Sequence, residues 1–133
     1  MNWTRVLAGG VAAGIVMNLA DFVQHGIILA ETYKKYAVFT KTEANPALFA
    51  LVSVVVAIFI AILFARTRQA WAAGWKGGLA FGFFFGLATF FAGFYFPMVL
   101  EGFPYHLAWC WGGVGMIDAL LGGATLGAII PRD

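Results

Sequence analysis

Four stretches of this chain run apolar for long enough to cross a lipid bilayer, with only short connections between them. They fall at about 6–30, 47–65, 77–98 and 107–130 of the 133 residues. A crossing helix needs about 20 apolar residues. Lipid offers no water to the backbone, so each stretch must close its own hydrogen bonds as a helix. The strict apolar–polar alternation of a membrane barrel is absent. The expected fold is an all-α membrane protein: a single transmembrane domain over 1–133, built as a four-helix bundle.

Composition bears on what else the chain could be. It is 62% hydrophobic and 11% charged, whereas a soluble domain is about half apolar and a quarter charged. So few charges cannot cover a water-facing surface. This argues against a disordered chain, a nucleic-acid-binding domain and an ordinary cytosolic enzyme. The net charge of +2 points to no anionic partner beyond lipid headgroups. The single cysteine, Cys110, excludes an intrachain disulfide and any multi-cysteine zinc or iron–sulfur site.

Local signals mark the span ends. Asn45-Pro46 reads as a helix cap followed by proline at the first helical position. Pro97 and Pro104 bracket the turn between spans three and four. With four crossings, both termini share one side with the loop between spans two and three. That side holds Arg5, Arg66, Arg68, Lys76 and Arg132; the other holds Lys34, Lys35 and Lys41, balanced by Glu31, Glu43 and Glu101. The basic excess places both termini on the cytoplasmic side. Trp3, Trp71 and Trp75 then fall at the inner interface and Trp109 and Trp111 near the outer one, as an aromatic belt requires.

Helices associate in lipid through close backbone approach and interhelical hydrogen bonds. Span three and its approach carry Gly74, Gly78, Gly82 and Gly86 at four-residue steps, then Gly93. This glycine zipper is expected to form a groove on one side of the helix. Phe81, Phe84, Phe85, Phe91 and Phe96 would form a wall on the opposite side, facing lipid, a partner subunit or an embedded apolar cofactor. Gly10 and Gly14 in span one, Gly123 and Gly127 in span four, and the row Ala50, Ala57, Ala61 and Ala65 in span two suit packing as well.

Any chemistry must sit with the polar residues inside the spans. Gly10, Gly14, Asn18, Asp21 and His25 lie within about 80° of one another on a helix. Asp118 sits near the middle of span four. Spans one and four run antiparallel, so Asn18 and Asp118 are expected at matching depth, where Asn18 can donate to Asp118 if the two helices are neighbours. An ionisable group near the bilayer centre costs about 2.5–3.5 kcal/mol even on a lenient insertion scale. Two aspartates together should not both stay ionised without a cation; one takes a proton, or one pairs with a His25 imidazolium.

Four readings of the cluster are open. It is a polar clamp that sets helix pairing, or a cofactor site in which His25 ligates a haem, chlorin or metal and Asp21 orients it. It is otherwise a proton or substrate pathway, or a catalytic site. Asp21 and His25 alone are too few for a metal; Glu101 and His106, in the outer connection, are candidates to complete one. No zinc-protease helix, phosphate loop or nucleophile elbow occurs, and the glycine pairs follow no strand.

The N-terminal pattern Arg5, Gly9-Gly10, Ala13-Gly14, Asn18, Asp21-Phe22 and His25-Gly26 resembles that of small bacterial integral membrane proteins with four spans. The resemblance covers about 22 residues and implies a bacterial inner-membrane location with no assigned activity. The expectation is a non-enzymatic accessory subunit packing into or helping to assemble a larger respiratory or photosynthetic membrane complex. Its neighbours would be lipid and other membrane subunits or its own copies, with contact to an apolar cofactor such as haem, a chlorin, a carotenoid or a quinone. The alternative is a small proton-coupled transporter or channel acting as a homo-oligomer through Asp21, His25 and Asp118.

Overall fold

The computed structural model describes residues 1–39 and 45–132. Lys41 and Glu43, counted in the charge balance, lie outside the described residues. Every described element is helical: α1 (Trp3–Val23), α2 (Ala30–Tyr33), α3 (Pro46–Arg66), α4 (Gly74–Ala92), α5 (Tyr95–Val99) and α6 (Tyr105–Ile129). Four helical stretches are long and apolar enough to cross a membrane: Trp3–Ile28, Pro46–Arg66, Gly74–Val99 and Tyr105–Ile129.

The helix starts follow from local chemistry. Asn2 caps α1 by accepting from the Arg5 backbone N–H, and Asn45 caps α3 by accepting from that of Ala47, with Pro46 in the first turn. Two departures from the sequence expectation concern the other ends. The first span leaves α1 through a π-helical turn, Gln24–Ile28, in which the Leu29 N–H reaches back to the Gln24 carbonyl. Such a turn shifts the phase of everything after it by one residue. The third span breaks at Gly93 and Phe94 and resumes as α5, which continues past Pro97 to Val99. Pro97 cannot donate to the Gly93 carbonyl and its ring would clash with it, so the break falls there.

The spans do not pack in chain order. α3 lies beside α1, α1 beside α6, and α6 beside α4. Small residues set the contacts. A Cβ on Gly78 would lie 2.0 Å from the Gly123 carbonyl oxygen, and one on Gly82 would lie 2.1 Å from that of Ala119. Gly127 faces Gly74 and Gly78, and Gly86 faces Met116 and Ala119. Across the α1–α3 contact, Gly10 and Gly14 lie against the backbone of Ile58 and Val54. The core gathers Val6, Ala13, Ala57, Ile60, Ala61, Phe64, Phe81, Leu126 and Ile130.

The expected phenylalanine wall is divided. Phe84, Phe91 and Phe96 are exposed, but Phe81 is buried and stacks on the half-buried Phe85. Phe81 turns inward because α3 and α4 meet there: its ring lies 5.1 Å from Phe64 and 5.5 Å from Trp71. Trp71 is therefore part of the packing rather than a free belt residue, and its Nε1 donates to Thr67 Oγ1.

Both termini and the α3–α4 connection share one end of the bundle. Arg68 joins them there. It is 4% exposed, lies over the Phe64 ring, and donates from Nε to the Ile130 carbonyl and from Nη1 to the carbonyls of Trp71 and Ala72.

Candidate functional site

The polar groups inside the spans assemble where α1 meets α6. Met17 sets the register of that contact by packing against Gly122, where a Cβ would lie 2.7 Å from the Met17 sulfur. One helical turn farther from the termini, Asp21 on α1 and Asp118 on α6 come level. Asp118 is 6% exposed. It accepts at 3.2 Å from Gln24 Nε2, and the Asp21 carboxyl stands within hydrogen-bonding reach of it. Gln24 also donates to its own helix at the Ala20 carbonyl.

This corrects the expected Asn18–Asp118 bond. The Met17–Gly122 contact puts Asn18 nearly one turn short of Asp118, so the donor is Gln24. Asn18 is half-buried and makes no hydrogen bond among the described residues.

His25 extends the cluster away from the termini. Its Nε2 lies 3.7 Å from Asp21 Oδ1, and its Nδ1 is hydrogen-bonded to the Tyr33 hydroxyl. The same hydroxyl accepts at 2.8 Å from Trp111 Nε1. Indole can only donate, so the Tyr33 proton is free to donate to Nδ1, leaving the Nε2 proton directed at Asp21. Burial pushes the Tyr33 phenol above its ordinary value of 10.0, with the Trp111 hydrogen bond opposing. Trp111 and His25 meet edge to face, and Phe39 and Phe103 pack beside Trp111. The polar groups thus form one connected series, Gln24 and Asp118, Asp21, His25, Tyr33 and Trp111, from within the spans to their far end.

Two features bear on ligands. Both His25 nitrogens face partners, so ligation of a haem or chlorin would displace either Tyr33 or the Asp21 contact. Glu101 is exposed and His106 packs near Tyr36 instead of His25. Among the described residues no group of three or more His, Cys, Asp or Glu gathers to hold a metal.

Space is also distributed unevenly. The gap at the bundle centre is about 10 Å³ and lined by apolar residues such as Ala13, Met17, Phe81 and Leu126, at the lower limit for a single water. A lateral groove of about 210 Å³ opens between α4 and α6, walled by Phe90, Gly93, Trp111, Gly112 and Gly115. It is smaller than the usual small-molecule site of ~300–1,000 Å³.

Gln24, Tyr33 and Trp111 are the members that the sequence reading did not assign. Gln24 carried a usable signal: a carboxamide inside an apolar span, three residues after Asp21. Tyr33 and Trp111 carried none, because their meeting depends on the path taken after the π-helical turn.

No family model, no curated protein and no solved structure matches this chain.

Proposed function

We propose that this protein is a small, non-enzymatic integral membrane subunit that packs into, or helps to assemble, a larger membrane complex. One observation carries the reading. At membrane depth the side chains of Asp21 and His25 remain 39% and 36% exposed, and the Asn18 amide has no partner among the described residues. Polar groups left facing hydrocarbon are costly, and membrane proteins cover them with protein or water. The nearly closed bundle centre provides no such cover from within. A neighbouring helix does.

The basic excess at the terminal end favours both termini in the cytoplasm of a bacterial inner membrane. Native mass spectrometry of protein extracted in mild detergent tests the assembly reading. Stable partner chains, extra copies or a coloured bound group are expected. A colourless monomer would overturn it.

A second reading rests on the series from Asp118 through Asp21 and His25 to Tyr33, which has the chemistry of a proton relay. With so little space at the bundle centre, a pathway would run between copies in a homo-oligomer. Proton flux into liposomes should fall in Asp21→Asn and Asp118→Asn; unchanged flux in both would end this reading.

A further inference from the structure

We propose that two copies of this chain pair through α1, along the seam Ala8, Val11, Ile15, Asn18 and Phe22. This rests on the reading of the chain as a laterally associating subunit and names its partner.

The seam residues follow steps of three, four, three and four. That mean period of 3.5 keeps a stripe facing a partner helix in a left-handed crossing. The five positions fall within about 80° of helix circumference. Ala8, Val11, Ile15 and Phe22 lie apart from the faces already used, where Gly10 and Gly14 meet α3 and Gly9 and Met17 meet α6, and Asn18 borders the Gly14 face. Ala8, Val11, Ile15 and Phe22 are exposed, and Ala8 lets the backbones approach closely at the terminal end.

Asn18 points to a second copy rather than to a different protein. Its amide is both donor and acceptor. Across a two-fold axis along the membrane normal, the two Asn18 amides meet at the same depth and satisfy each other reciprocally. A single asparagine in an apolar seam is a known means of fixing register and copy number. Such self-complementarity is what an isologous interface requires. Gln24, the other carboxamide in the spans, is already engaged by Asp118 and Ala20.

Single cysteines placed by Val11→Cys, Ile15→Cys and Phe22→Cys in a Cys110→Ser background, oxidised in native membranes, should give disulfide-linked homodimers. Phe59→Cys and Phe91→Cys, at least as exposed on other spans, should not. By native mass spectrometry Asn18→Leu should weaken the dimer about tenfold, and Asn18→Gln, which keeps the amide, should retain much of it. Homodimers that crosslink through Phe59→Cys or Phe91→Cys in place of the seam overturn the proposal. Seam cysteines captured by a different protein, with no self-crosslink, overturn the second copy but leave the assembly reading standing. A monomer with no crosslinks removes both.

Discussion

Asp118 illustrates how a single ionisable side chain is tolerated inside a membrane helix. It meets Gln24 and Asp21 and is almost shut off from its surroundings. Asp118→Asn keeps an acceptor for Gln24 and gains a donor for Asp21, so thermal stability in detergent should change by less than about 1 kcal/mol. Asp118→Leu removes one partner from each neighbour and should cost about 1–3 kcal/mol. Tyr33 predicts a pH effect. The folded chain holds the phenolic proton more tightly than the unfolded chain does. Its stabilising contribution is therefore full below pH 10.0 and lost as pH rises through the higher folded value. Melting temperatures measured across that range should fall more steeply in the parent protein than in Tyr33→Phe.

Helices pack here by removal of side chains, and individual glycines differ sharply in what they permit. Gly82 faces backbone that cannot give way, so Gly82→Val must push α4 from α6. A loss of about 3 kcal/mol, the upper end for overpacking, is expected in SDS-titration unfolding. Gly113 faces open space on α6, so Gly113→Ala should stabilise that helix by about 0.5–1 kcal/mol in the same assay. The spans were legible from hydropathy because lipid dictates length and composition, and the α3 start was legible because Asn45-Pro46 is a purely local signal. The position of Asp118 was legible as an intramembrane carboxyl. Its partner was not, because a shift of one turn between α1 and α6 is set by the fit of Met17 against Gly122, which no single-helix period records. The inward turn of Phe81 was hidden for the same reason: it depends on which helix stands opposite.

At the scale of the molecule, Arg68 fastens the terminal end by binding carbonyls on two sides of the bundle. Arg68→Lys keeps the charge but not the planar fork. A loss of about 1.5–3 kcal/mol is expected from the broken charged hydrogen bonds, read as a lower melting temperature. The neighbour order α3, α1, α6, α4 has a consequence for biosynthesis. Spans one and two form one pair, spans three and four another, and the first and last spans close the molecule. While the ribosome is still making span four, Asp21 and Gln24 already lie in the membrane without Asp118. The Gln24–Asp118 bond is therefore a completion mark, made only when the last segment has been delivered and lies back beside the first.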